Sequence, residues 1–131
     1  MRINHFGLVV KSLEKSQDFY CTQLGYTIKV PRIHVSNQQV DIIMLANTYG
    51  GPDLELITPN GDSSPSATAL AKRLVLNHVC YETTDYELYL EKFKSKIVRP
   101  SMPAPVELFG GGRTFFAYLD SVLTEFLEII K

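Results

Sequence analysis

The sequence predicts an α+β protein made of two βαβββ modules, and three observations carry that prediction. The dipeptide Asn-His occurs twice, in INHFGLVV and in LNHVCYET, the copies seventy-three positions apart. Each copy opens an alternating apolar run and is followed by the same order of helix and strands. Near the end of each module a glutamate interrupts an apolar strand: Glu55 in the first, and Glu125 or Glu128 in the second. The modules span about residues 1–60 and 74–131 of a single domain covering residues 1–131.

The elements follow from local chemistry. INHFGLVV is rich in Val, Ile and Phe and reads as a strand. SLEKSQDFYCTQLG reads as a helix, with Ser12 as N-cap, Gly25 as the stop, and Leu13, Phe19, Tyr20 and Leu24 near one face. YTIKVPRIHV and VDIIMLAN are strands around the polar SNQQ, TYGGP is a turn, and DLELIT is the fourth strand. PNGDSSPS is the most turn-rich stretch, and SATALAKRL is a short helix. The second module repeats the order: strand LNHVCYET, helix DYELYLEKFKSK, strand IVRPSMP, a turn at Gly110 to Gly112, and strands RTFFAYL and VLTEFLEII.

Composition excludes several partners. Apolar content of 45% and charged content of 21% are those of a globular domain, and the formal charge of −1 gives no footprint for nucleic acid or an anionic membrane. No apolar stretch approaches the ~20 residues of a membrane-spanning helix. MRINHFGLVV lacks the apolar core and cleavage site of a secretory leader, so a cytoplasmic location is expected. The two cysteines, Cys21 and Cys80, are expected as reduced thiols, Cys80 as a small buried hydrophobe.

Strand alternation then places the candidate site. His5 shares a face with Ile3, Gly7 and Val9, while Phe6, Leu8 and Val10 take the face suited to a helix. His78 shares its face with Cys80, opposite Val79 and Tyr81. A carboxylate in an apolar strand is costly unless it is paired, hydrogen-bonded or metal-bound. Packed with pseudo-twofold symmetry, the modules would bring two histidines and two carboxylates into one cleft. That set suits a divalent ion of the zinc, nickel, cobalt, manganese or iron group. The competing reading makes His5 and His78 core histidines and puts the glutamates on solvent-facing strand surfaces.

Over nearly its whole length the chain resembles the vicinal oxygen chelate superfamily, which includes glyoxalase I, methylmalonyl-CoA epimerase, extradiol dioxygenases and the fosfomycin and bleomycin resistance proteins. INHFGLVVKSLEKSQDFYCTQLGY resembles the opening strand and helix, DLELITPNGDSSP the second ligand strand, LNHVCYETTD the start of the second module, and SVLTEFLE the closing strand. The resemblance implies a curved mixed sheet around a metal cleft, with helices on the convex side. It implies metal ligands at His5, Glu55 and His78, and, through VLTEF, at Glu125. The repeat offset instead maps Glu55 onto Glu128. Burial favours Glu125: were Glu128 the ligand, Glu125 would face the helical layer in mid-strand.

The chemistry implied is proton transfer next to a carbonyl, the metal acting as Lewis acid and Glu55 and Glu125 as the candidate bases. The SP turn and VLTE are similar to the methylmalonyl-CoA epimerase branch. Glu55 is instead similar to glyoxalase I, because the epimerase has glutamine there, and VDIIMLANTYGGP lacks the epimerase's extra glutamate. The expected function is therefore a metal-dependent isomerase or epimerase of a small acyl compound, possibly a thioester. Lactoylglutathione lyase is the enzymatic alternative, and a non-catalytic binding or resistance-type protein is the other. The resemblance also implies a homodimer.

His34 is expected at the surface or a strand edge. FGGGRT would bring Arg113 and backbone amides to an anionic group, or serve as a flexible loop or lid. Tyr49, Gly50 and Gly51 form a second turn.

Overall fold

Capping chemistry sets the first helix. The structure, a computed structural model, describes residues 1–73 and 75–130. Helix α1, Leu13–Leu24, starts where the Ser12 side chain accepts from the Lys15 N–H and ends where Gly25 turns left-handed at φ 74°. Leu13 is 1% exposed and Tyr20 packs beside it, but Phe19 and Leu24 are 53% and 57% exposed. Phe19 lies about 100° round the helix from Tyr20, and Leu24 sits on the final residue, beyond the sheet's cover. The expected apolar face is thus narrower than four residues.

Among the described residues there are eight strands and four α-helices. The first module gives β1 (Arg2–Val9), α1, β2 (Thr27–Val35), β3 (Val40–Ala46) and β4 (Asp53–Pro59). Helix α2 (Pro65–Ala71) follows, its Ser64 N-cap accepting from the Ser66 N–H and proline in its first turn. The expected helix there ran to Leu74, which lies outside the described residues, as does Lys131, the expected end of the second module. The second module gives β5 (Leu76–Thr83), α3 (Tyr86–Lys92), β6 (Ile97–Pro103), β7 (Arg113–Leu119) and β8 (Val122–Glu128). This is the expected α+β class with the order βαβββ twice.

Two elements of the second module differ from expectation. Helix α3 stops at Lys92 and tightens into a 3-10 turn over Lys94–Lys96 rather than running through as one helix. A helical turn, α4 (Val106–Phe109), precedes the glycine turn. Pro105 starts it, and Gly110, left-handed at φ 65°, ends it.

The chain divides into two compact units, Phe6–Asn77 and Met1–His5 with His78–Lys131. The first few residues group with the second half because Arg2 and Asn4 bond Glu82 and His5 meets His78.

In the unit Phe6–Asn77 the strand order is β2-β3-β4-β1. Strands β2, β3 and β4 pair antiparallel, with Met44 opposite Glu55. Edge strand β2 carries Pro31, which an edge tolerates. Leu13, Ile43, Leu45, Leu54 and Leu56 form the core, with Phe6, Leu8 and Val10 packed on it as alternation predicts. Glu55 therefore points to the opposite face.

In the other unit the order is β6-β7-β8-β5, the same topology: the first strand of the module lies beside the last. β5 and β8 run parallel while β6, β7 and β8 pair antiparallel, so the sheet is mixed. Phe115 stacks on Phe126 at 4.8 Å, and with Tyr86 and Ala117 they form the helix-side core. The opposite face buries Cys80, Ala104 and Leu127. Among the described residues no helix is long and apolar enough to cross a membrane.

Candidate metal centre

Strand pairing creates the site. Because β5 lies beside β8, Cys80 is directly opposite Glu125, and Glu125 is in turn opposite Phe116 of β7. Opposed residues share a sheet face. His78, two residues before Cys80, shares it too.

Three donor atoms meet there. His5 Nε2 lies 3.2 Å from His78 Nε2, His5 Nε2 lies 3.2 Å from Glu125 Oε1, and His78 Nε2 lies 3.3 Å from the same oxygen. All three residues are buried. The Nδ1 of His5 is 2.7 Å from Asn4 Oδ1. Asn4 turns its amide NH₂ to Glu82 Oε2 at 3.1 Å, so its oxygen faces His5, and Nδ1 is the protonated nitrogen. The lone pair of His5 Nε2 is left facing the carboxylate. Arg2 pairs with Glu82 at the outer end of this chain.

Glu125 is fixed from the other side. Thr114 donates to Oε2 at 2.7 Å, while the buried Oε1 accepts no hydrogen bond among the described residues. The ring of Phe109 stacks on His5 at 5.6 Å, and Phe116 meets His78 edge-on at 5.4 Å. Cys80 offers its sulfur within 4.8 Å of the donor atoms of His5 and Glu125.

The triangle tests whether a metal fits. Two ligands each ~2.1 Å from one ion lie about 3.0 Å apart at a right angle and about 3.4 Å apart at the tetrahedral angle. The observed separations of 3.2 to 3.3 Å fall between these limits. The lone pair of His5 Nε2 and the unbonded Glu125 Oε1 face each other, and a divalent cation would turn their repulsion into attraction. The residues present fit the group.

The candidate residues are distributed as follows. His5, His78 and Glu125 are brought together. Glu55 is 7% exposed on β4 of the unit Phe6–Asn77. Glu128 is elsewhere: it accepts from the Arg113 backbone N–H at 3.1 Å, Nε at 2.9 Å and Nη2 at 2.8 Å. Arg113 also pairs with Glu87 at 2.7 Å and lies 4.5 Å over the Tyr86 ring. The expectation that Arg113 awaits an anionic ligand is therefore corrected: alternation turns it away from Thr114, and two carboxylates of its own chain hold it. His34 is exposed on edge strand β2, bonded to Asp41 at 2.9 Å. Tyr49 is 94% exposed in the turn after β3.

Residues beyond the candidate set complete the site: Asn4, Glu82, Thr114, Phe109 and Phe116. Asn4 had a signal in the doubled Asn-His dipeptide. Thr114 had none, since only the pairing of β7 with β8 brings it near Glu125.

Comparison with known proteins gives a consistent family. The profile of the Glyoxalase/Bleomycin resistance protein/Dioxygenase superfamily matches residues 4–118. The mitochondrial methylmalonyl-CoA epimerase of Bos taurus is 30% identical over 100 residues, covering 75% of this chain and 55% of that protein. The matched stretch thus spans little more than half of that relative. The methylmalonyl-CoA epimerase of Mycobacterium tuberculosis is similar in structure, with TM-score 0.86 and 20% identity over 99% of this chain and 89% of that one. A variant of the Streptomyces coelicolor methylmalonyl-CoA epimerase, in complex with 2-nitronate-propionyl-CoA, matches at TM-score 0.82 and 22% identity, covering 98% and 94%. At these identities the structural likeness shows the fold.

Proposed function

The chain belongs to the glyoxalase/bleomycin resistance protein/dioxygenase superfamily, and on that premise we propose that it is a metal-dependent epimerase or isomerase of a small acyl thioester. The observation that carries the reading is the triangle of His5 Nε2, His78 Nε2 and Glu125 Oε1. Names of similar proteins add the substrate class: the mammalian relatives are methylmalonyl-CoA epimerases, and a similar structure holds an acyl-CoA analogue.

In this reading His5, His78 and Glu125 hold a divalent ion, and Glu55, the other buried carboxylate in an apolar strand, is the fourth ligand. The ion supplies Lewis-acid polarisation of a substrate carbonyl. The chain's own groups move the proton. A carboxylate accepts it from the carbon beside the carbonyl, leaving an enolate, and a carboxylate returns it. Return to the opposite face inverts the centre, so an epimerase needs two such groups, Glu55 and Glu125. Of the two, Glu125 is the more firmly held, by Thr114 and both imidazoles, and Glu55 is assigned the first proton abstraction. Phe109 stacks on the His5 ring and Phe116 meets the His78 ring edge-on, which fixes the imidazoles beside the carboxylate.

A second reading, lactoylglutathione lyase, is favoured by one specific residue. Glu55 supplies a carboxylate where the epimerase branch has glutamine, as the sequence resemblance indicates. Both reactions pass a proton through an enolate-type intermediate, so the substrate separates them.

Elemental analysis of protein purified without added metal tests the site, with about one divalent ion per chain expected. A screen of (R)- and (S)-methylmalonyl-CoA against the methylglyoxal–glutathione adduct tests the reaction. In heavy water the active substrate gains deuterium beside its carbonyl. Metal-free protein inactive on both substrates would leave the non-catalytic alternative. Light scattering checks the homodimer the family resemblance implies.

A further inference from the structure

We propose that Arg99 is an oxyanion-binding residue of this site, gripping a carboxylate or phosphate of the bound ligand. The proposal rests on the acyl-thioester reading for its choice of ligand, but the geometry of Arg99 stands by itself.

Four arginines lie on strands. Arg2 pairs with Glu82, Arg32 with Asp41 and Glu14, and Arg113 with Glu128 and Glu87. Arg99 differs from these three. Half-buried on β6, its side chain makes no hydrogen bond or ion pair with any described residue. Its guanidinium carbon lies 4.9 Å above the ring of Phe116. Phe116 is opposite Arg99 on one side and opposite Glu125 on the other. The row Cys80, Glu125, Phe116, Arg99 therefore crosses four adjacent strands on a single face.

That placement sets what Arg99 does. A guanidinium taken partly out of water loses hydration, and a counter-ion restores the loss. Glu125 is two strands away, about 10 Å at the usual strand spacing, and its oxygens are turned to Thr114 and the imidazoles. Burial lowers the Arg99 pKa, with the Glu125 charge opposing. Stacking on Phe116 holds the guanidinium plane and leaves its N–H edge for a partner, the geometry that suits a two-oxygen grip on carboxylate or phosphate. A ligand reaching both ends of the row places a carbon near Glu125 and an oxyanion some bonds away. The oxyanion comes from one of two sources: a second carboxylate on the acyl group, or a phosphate of the thioester's carrier.

Binding of malonyl-CoA, propionyl-CoA and free CoA to wild-type protein and to Arg99→Gln distinguishes them. Metal content is measured alongside, and Arg99→Lys retains the charge without the fork. If the acyl carboxylate is the anion, wild type binds malonyl-CoA about tenfold tighter than propionyl-CoA, and Arg99→Gln erases that preference. If the carrier phosphate is the anion, Arg99→Gln weakens all three ligands by a similar factor. Dissociation constants within twofold of wild type for all three, at unchanged metal content, overturn the proposal. If wild type binds no thioester, the acyl-thioester reading has failed, and the Arg99 side-chain Nε–H resonance is followed against malonate and inorganic phosphate. A saturable shift upholds the oxyanion site, and no shift overturns it.

Discussion

The hydroxyl of Thr114 donates a 2.7 Å hydrogen bond to Oε2 of Glu125, so one oxygen of that buried carboxylate is occupied and the other is aimed at His5 and His78. Orientation of this kind is what separates a ligand from a carboxylate that is merely nearby. Thr114→Val keeps the shape and removes the bond. Metal affinity is expected to fall about 10–100-fold, as for other partners that orient a ligand. A chelator competition titration measures it. An unchanged affinity would mean that Thr114 satisfies the carboxylate without aligning it.

The two C-terminal glutamates are expected to respond differently. Glu125→Gln removes a charged donor from the triangle and should cost more metal affinity than the Thr114 variant. Glu128→Gln should leave metal content unchanged. Burial alone, by relieving a charge on the helix-facing side, would give that variant a small gain in stability. The Arg113 bonds reverse the sign, and a loss of about 0.5–1 kcal/mol is expected from this partly exposed pair. Metal analysis and urea unfolding of both variants decide it. A metal-free Glu128→Gln would exchange the roles of the two.

Much of this was legible in the sequence, because the module repeats and its signals are periodic. IVRPSMP and RTFFAYL coincide with β6 and β7 residue for residue. Alternation placed Phe6, Leu8 and Val10 on the helix side. The illegible parts share a cause: they depend on pairing between distant strands or on elements too short to show a period. Thr114 meets Glu125, and Arg99 joins the same face, only through the ladders β6–β7–β8. Helix α4 has four residues, less than the window in which helical periodicity shows, yet it brings Phe109 onto His5.

Asp41 carries a pH dependence of stability. Burial raises its carboxyl, but hydrogen bonds from Asn60, Arg32 and His34 prevail and lower it to about 2. A depressed folded-state value stabilises the ionised fold above the unfolded pKa near 3.9, and the contribution is lost as pH falls from about 4 toward about 2. Asp41→Asn should therefore be less stable than wild type at neutral pH, by about 1–2 kcal/mol, with the difference closing below pH ~3. Denaturant midpoints at neutral pH and in acid measure it. A constant difference across that range would show that packing, not charge, accounts for Asp41.

Gly112 ties the fold to the site. A Cβ on Gly112 would stand 2.3 Å from the carbonyl oxygen of Glu128 and 3.7 Å from that of Phe109. The first of these is backbone of β8, which cannot swing aside as a side chain would. Gly112→Ala must therefore displace the entry to β7, and about 2–4 kcal/mol of stability should be lost. The displacement has a direction. Two residues later is Thr114, whose hydroxyl orients Glu125, and the Ala104 N–H also bonds the Gly112 carbonyl at 2.9 Å. Folded Gly112→Ala protein should thus lose metal affinity in the same sense as Thr114→Val, although position 112 touches no donor atom. The two changes combined should cost less affinity than the product of their separate effects, because both act through one hydrogen bond. Chelator competition on the single and double variants, at a temperature where all remain folded, makes the comparison. If Gly112→Ala loses stability but keeps full affinity, the β7 register recovers before Thr114, and the glycine serves the fold alone.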